Sequence, residues 1–448
     1  MTTIKLRRGT TAQWQASNPV LAAGEPAFDI TTGFIKMGDG ETAWADLPSF
    51  LHEDAVAALI ADSTTPTTVL RTGRSAPTSV TARALGRAIN TGDTAALQTT
   101  RTSHTFVEDA VGLRVLVTGW GNGEGAQPGD LTVRAALEYA GVVTPFTFDG
   151  QQATTIAPGS HRVSDPLGVF VTAGSTGFLR AERSVAGGGS VLSTAALRAS
   201  LGEGTATSTS AVYGAASGFS VVADENTPAW APLAILADGS AGRSVAFFGD
   251  SLSNAQRDAV PEDGGYLLRA VSPDVGVLRL NGGGGTAGAF IGNGSGADSG
   301  RRRLALARHA SYAWVEYGAN DLNGGASLTT IQANLTRLWT ALSLLGLPVW
   351  QSTITPWSSS SDGWTTVEGQ TPYSKHPTRI ALNDWIRTKP APLTGFFEVA
   401  DVVESERNSG KWALTDGAPA ATDGIHPSGP TYAKIAAAIR PGVLSAFA

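Results

Sequence analysis

Beyond Arg243 the chain alternates between short apolar runs and longer helix-like segments, and no other feature restricts its fold as much. Ser244 to Phe248, Val275 to Leu280, Tyr312 to Tyr317, Pro348 to Thr355 and Phe396 to Ala400 read as strands. Helical segments lie near Gly265 to Val271, Arg301 to His309, Ser327 to Leu345, Tyr373 to Arg387 and Tyr432 to Ile439. Such alternation implies right-handed crossovers and a parallel sheet with helices on both faces. Ligands bind beyond the carboxyl ends of the strands in sheets of this kind. The residues that follow each strand are therefore where chemistry is expected.

Four short strings occupy those places. Gly249-Asp250-Ser251-Leu252 follows the first strand, which puts the Ser251 hydroxyl at a strand end. Asn281 to Gly285 follows the second, where glycine lets a backbone N–H approach the same pocket. Gly318-Ala319-Asn320-Asp321 closes the third, and the Asn320 amide is a donor suited to a developing oxyanion. In Asp423-Gly424-Ile425-His426, before the last helix, a turn can set the carboxylate against one imidazole nitrogen while the other faces the serine. Each string alone has a plainer explanation: a helix cap, a flexible loop, an Asx-turn, a surface turn. Four together and in order favour one site. Gly-x-Ser-x-Gly is absent, so an α/β-hydrolase nucleophile elbow is not indicated. Nor does Gly-Lys-Ser/Thr follow the glycines, which removes a phosphate loop.

These strings resemble the GDSL or SGNH hydrolase family. The resemblance implies a flavodoxin-like three-layer α/β/α domain with Ser251 as nucleophile, His426 as general base and Asp423 orienting it. It further implies an oxyanion hole made by the N–H of Ser251, the N–H of Gly285 and the side chain of Asn320. The glycine run leaves the register open by one, so Gly284 is an alternative to Gly285. Asp250 is expected to be structural. Trp357 and Trp364, in the loop after the fourth strand, are candidates for stacking on a sugar ring or for packing within the loop.

The first 50 residues read as short strands, Thr3 to Arg7, Pro26 to Ile30 and Phe34 to Met37, separated by turn sequences. Ile4-Lys-Leu-Arg-Arg-Gly-Thr, Trp14, Leu21-Ala-Ala-Gly-Glu-Pro and Lys36-Met-Gly-Asp-Gly-Glu-Thr-Ala-Trp-Ala-Asp-Leu-Pro48 resemble the N-terminal module of phage tail fibre and minor tail proteins. That resemblance implies attachment to other tail proteins, a homotrimer and a virion location. Residues 51–104, with short helices expected at His52 to Ala61 and Val80 to Asn90 amid Thr/Ser/Pro-rich sequence, read as a linker or stalk. Residues 105–240 read as β: Leu113 to Thr118, Leu131 to Tyr139, Val142 to Phe148, Val169 to Thr172 and Gly177 to Glu182 are spaced as in a sandwich. This region is similar to the jelly-roll-like domain that precedes the catalytic domain in some carbohydrate esterases.

The expectation is thus a multidomain chain: a β-rich module over 1–50, a linker over 51–104, a jelly-roll-like β-sandwich over 105–240, and an α/β/α SGNH hydrolase over 241–448. A net charge of -6 gives no electrostatic footprint for nucleic acid. No apolar run approaches a membrane span, and the first residues lack the apolar segment of a secretory signal. With no cysteine and six scattered histidines, neither a metal nor another cofactor is expected. The function expected is O-deacetylation or de-esterification of a host surface glycan by an acyl-enzyme mechanism. A non-catalytic receptor-binding tail protein, and a bacterial lipid or carbohydrate esterase with no virion role, are the alternatives.

Overall fold

The computed structural model describes residues 7–31, 35–47, 49–50, 77–82, 89–93, 95–121, 126–185, 191–208, 210–213, 219–225, 227–238, 243–259, 264–292 and 295–448. The chain divides into two compact units, Met1–Thr65 and Pro66–Ala448. The expected helix at His52 to Ala61 lies outside the described residues.

In the first unit, strands Arg7–Gly9, Pro26–Asp29, Ile35–Met37 and Ser49–Phe50 pair in chain order. A helix not expected from the sequence, Thr11–Ser17, starts from Thr10, which forms a reciprocal capping box with Gln13. It exists to bury Trp14, which stacks on Trp44 at 5.4 Å between centroids over a core completed by Leu21, Ala27 and Leu47. The Lys36 ammonium lies 4.3 Å from the Trp44 ring and donates to the Trp44 carbonyl at 2.8 Å.

In the second unit, two β-sheets face each other across one apolar core. One runs Val142–Pro145, Leu131–Tyr139, Thr176–Ser184, Leu97–Thr105, Gly204–Ala206, Ser220–Val221; the other runs His161–Val163, Leu113–Thr118, Ala234–Ala237, Thr78–Ser79. Val115, Val117, Val133, Leu137, Leu179 and Trp230 meet between them.

The sequence boundary at 105 needs correction, because Leu97–Thr105 is an interior strand of the larger sheet and Thr78–Ser79 ends the smaller one. Of the helix expected over Val80 to Asn90, residues 83–88 lie outside the described residues, while at its two ends Thr81 bridges to Phe106 and Ile89–Asp93 is a strand. Polarity hid these elements. Thr100 and Thr102 bury their hydroxyls against the carbonyls of Ala181 and Leu179, while Arg101 pairs with Glu138 at 2.8 Å, so the strand reads like a linker. Val169 to Thr172 contributes a single bridge, Ala110 to Val171, in place of a strand.

The C-terminal part is built on strands β1 Ser244–Phe248, β2 Gly276–Arg279, β3 Tyr312–Val315, β4 Val349–Ser352 and β5 Gly395–Phe397. All pair in parallel in the order β2-β1-β3-β4-β5, the doubly wound order of flavodoxin-like folds. Helices α1 Gly265–Val271 and α8 Gly429–Ala446 pack together on one face. The other carries α2 Ala287–Ile291, α3 Ser295–Ala307, α5 Leu328–Leu344 and α6 His376–Arg387. Short helices α4 Ala319–Asn323 and α7 Ala400–Val403 follow β3 and β5. β1 explains why its sequence is continuously apolar: Val245 and Phe247 join the α1/α8 core while Phe248 meets Phe290 of α2 edge-on at 5.8 Å.

The stretch 77–82 joins the sandwich to this sheet. Ser79 N–H donates to the His309 carbonyl at 3.0 Å, Val277 N–H to the Thr81 carbonyl at 2.9 Å, and the Ser79 hydroxyl to the Val277 carbonyl at 2.7 Å.

Candidate active site

The strand order reverses between β1 and β3, and the segments that leave those two strands bring Ser251 and Asn320 to that crevice. After β1 the chain makes consecutive turns through Arg257, tied by Asn254 N–H to the Asp250 carbonyl and Gln256 N–H to the Ser251 carbonyl at 3.1 Å each. Ala255 and Arg257 take positive φ of 55° and 71°, uncommon for such residues. Among the described residues the Ser251 N–H has no hydrogen-bond partner.

His426 arrives from the turn before α8. Its Nε2 lies 2.8 Å from Ser251 Oγ and its Nδ1 lies 2.9 Å from Asp423 Oδ2. With Nδ1–H facing the carboxylate, Nε2 presents its lone pair to the serine hydroxyl, which is the tautomer a general base needs. The other carboxylate oxygen, Oδ1, accepts the backbone N–H groups of Ile425 at 3.1 Å and His426 at 2.8 Å. Burial works against the Asp423 charge, but these N–H groups and the imidazole outweigh it and hold the carboxyl at about 2. One contact to the same carboxylate was not foreseen from the sequence: Arg257 Nε donates to Asp423 Oδ2 at 3.1 Å.

Gly424 makes this turn possible. Its φ is 76°, and a Cβ there would lie 1.8 Å from the Ser358 carbonyl oxygen. Its own carbonyl accepts from Ser358 N–H at 3.0 Å and Trp412 Nε1 at 2.9 Å, so the base-bearing turn is pinned from two sides.

The side that carries Asn320 and Gly285, the expected oxyanion donors, differs. Asn320 Nδ2 donates to Asp250 Oδ2 at 2.8 Å and lies 3.2 Å from the Gly285 carbonyl. The Gly285 N–H closes a turn onto the Gly282 carbonyl at 3.2 Å, with Gly284 at φ 74°, the pattern of a type II turn. Asp321 steadies the segment beyond it by accepting the N–H groups of Ala287 at 3.0 Å and Gly288 at 3.1 Å.

Two hollows adjoin the site. A cavity of about 20 Å³ is bounded by Leu252, Ala319 and Ile425 from three of the four strings, together with Leu322, Ile354 and Trp357. A wider trough of about 490 Å³ opens beside it, lined by Ser358, Ser359, Ser360, Trp364 and Asp423. Trp357 and Tyr373 border both hollows and stack on each other at 5.3 Å. Trp364 lines the trough, but its indole N–H donates to the Ser358 hydroxyl at 3.1 Å and its ring packs over Gly424. Asp362 accepts from Ser360, Thr366 and the Thr366 N–H, and so fixes the loop that carries this wall. Among the described residues no cluster of acidic and histidine side chains is arranged to hold a metal ion.

Residues 4–42 match the family model described as the major tropism determinant N-terminal domain, which bears out the tail-protein resemblance of that segment. No curated protein matches the chain in sequence. Solved structures align with slightly under half of it. A carbohydrate acetylesterase from Sinorhizobium meliloti is 20% identical, with 46% of this chain and 99% of that one covered and a TM-score of 0.32. A GDSL-like lipase from Bacteroides thetaiotaomicron is 15% identical, covers 46% and 89%, and has a TM-score of 0.32. For an esterase from a Pseudoalteromonas species the figures are 17%, 45%, 97% and 0.31. The fold is defined here by the strand order and the site by its distances, not by these scores.

Proposed function

We propose that the chain is a phage tail protein whose C-terminal domain is a serine esterase of the SGNH type, removing short acyl groups, acetyl above all, from a glycan on the host surface. The observation that carries this reading is the continuous relay Ser251 Oγ, His426 Nε2, His426 Nδ1, Asp423 Oδ2, with links of 2.8 and 2.9 Å. The imidazole takes the hydroxyl proton as Ser251 Oγ bonds to the ester carbonyl carbon. The tetrahedral adduct collapses, the C–O bond to the alcohol breaks, and the imidazolium returns the proton to the leaving oxygen. Water then repeats the sequence on the acyl-enzyme, freeing the acid and Ser251. The Ser251 N–H and the Asn320 amide, with Gly285 or Gly284, are the proposed donors to the oxyanion.

The two hollows support the substrate class. A cavity of about 20 Å³ bounded by Leu252, Ala319 and Ile425 suits a small group such as an acetyl methyl. The open trough with serine hydroxyls, Trp357 and Tyr373 suits a sugar on the alcohol side. The tail-type module gives such an enzyme a place in a virion, with other tail proteins as partners. A homotrimer belongs to this proposal and is tested by mass in solution. Hydrolysis of p-nitrophenyl acetate and of an O-acetylated host glycan by the protein, lost in Ser251→Ala, is the expected result. Equal rates for the two proteins would leave a binding role in place of an enzymatic one.

A further inference from the structure

Behind the nucleophile two carboxyl groups are buried side by side. Asp250 is 1% exposed and Glu316, at the end of β3, is 3% exposed. The Asp250 N–H lies 3.5 Å from Glu316 Oε2, which brings the two carboxyl groups side by side. Gly249, the first residue after the strand, leaves room for this approach, since a Cβ there would lie 2.6 Å from Ser253 Oγ and 2.9 Å from Glu316 Oε2. Among the described residues no arginine, lysine or histidine is paired with either acid. Burial raises both, Glu316 the further.

Two adjacent carboxyls without a cation cannot both be ionised, so they share one proton. Hydrogen bonding assigns it. Asp250 Oδ1 accepts the Leu252 N–H at 3.0 Å and Oδ2 accepts Asn320 Nδ2 at 2.8 Å, so both of its oxygens act as acceptors. Protonating Asp250 weakens these bonds, because a neutral carboxyl oxygen is a poorer acceptor than a carboxylate oxygen. The proton therefore sits on Glu316, whose O–H donates to Asp250.

We propose that Glu316 is a positioning residue for the oxyanion hole, acting as a neutral acid that holds Asp250 ionised and thereby aims the Asn320 amide. Glu316 touches neither substrate nor nucleophile and acts only through Asp250 and Asn320. The inference rests on the esterase reading above. It requires of Glu316 a donor and no charge, which separates it from a plain packing role.

The test compares Glu316→Gln, Glu316→Leu and Asn320→Ala in kcat and KM on p-nitrophenyl acetate, with thermal unfolding of each. Gln supplies an N–H donor in place of the O–H, and kcat within about threefold of the parent is expected. Leu removes the donor, and kcat is expected to fall roughly 10- to 100-fold with KM unchanged, a part of the loss from removing an oxyanion donor outright. If Leu does not fold, Glu316→Gln alone decides: a loss as deep as that of Asn320→Ala overturns the proposal. So does a Leu variant that folds and keeps its kcat. Failure of the esterase reading is distinct, since it appears as parent activity equal to that of Ser251→Ala.

Discussion

The two halves of the site are prepared to different degrees. On the base side, Asp423 and His426 already stand in line with Ser251, held by a turn whose carbonyl is bound twice and whose glycine admits no side chain. On the oxyanion side, the Asn320 amide and the Gly285 N–H face acceptors of the protein itself. The Ser251 N–H and that of Gly284, the alternative to Gly285, have no protein partner in the described residues. Proton transfer needs fixed distances before substrate arrives, whereas an oxyanion donor left bare in a half-buried site carries a desolvation penalty. Here that penalty is met by two neutral carbonyls, that of Gly285 for one Asn320 hydrogen and that of Gly282 for the Gly285 N–H, which the charged oxyanion has to displace while Asp250 keeps the other Asn320 hydrogen.

Experiments can break this contrast at either end. The largest effect is expected for Ser251→Ala and His426→Ala, each lowering kcat by about 10⁴-fold or more with p-nitrophenyl acetate. Asp423→Asn follows closely, at about 10⁴-fold, because the amide favours the wrong imidazole tautomer. Preservation of activity in that variant would show that the relay is not set by the carboxylate. Asn320→Ala is expected to lower kcat by roughly 10²- to 10³-fold without raising KM. A rise in KM alone would mean that Asn320 binds ground-state substrate and not the oxyanion.

A smaller effect concerns the acyl side. Acetyl esters should be hydrolysed in preference to butyryl esters by at least about tenfold in kcat/KM, and Trp357→Ala should narrow the gap by opening the cavity wall. Equal use of long and short chains would remove the cavity from the acyl side. The smallest is a stability effect. Asp423 has its carboxyl held down at about 2 in the fold, below the ordinary 3.8. Its contribution is therefore complete above the unfolded value and disappears as pH falls from about 3.8 through about 2. The difference in unfolding free energy between the parent and Asp423→Asn should be flat above pH 5 and close only in that acidic window.

What could be read from the sequence follows the range of the contacts involved. Asp423 and His426 are three residues apart, so their pairing is local and visible in the string. The strands carrying Ser251 and Asn320 are buried on both faces and announce themselves by continuous apolarity. Glu316 and Tyr373 left no signal. One is a charged residue among strand positions and the other an aromatic at a helix start, and only the tertiary fold brings them beside Asp250 and Trp357. Leu97–Thr105 was hidden for the opposite reason, since a sheet interior filled by threonine hydroxyls and an Arg101–Glu138 pair has the composition of a linker. Trp364 was legible as a wall of the trough, but its hydrogen bond to Ser358 makes it as much a brace for the Gly424 turn.

The stretch 77–82 sets a practical limit on how the C-terminal α/β part can be cut from its chain. β2 is the outermost strand on its side of the parallel sheet, and Ser79 and Thr81 cover its free side. A fragment beginning at Arg243 keeps every proposed catalytic residue and yet bares the Val277 N–H and carbonyl to other molecules, an invitation to strand-to-strand aggregation. The smallest well-behaved fragment that holds the parallel sheet is therefore expected to begin upstream of Pro77 and to bring the sandwich with it.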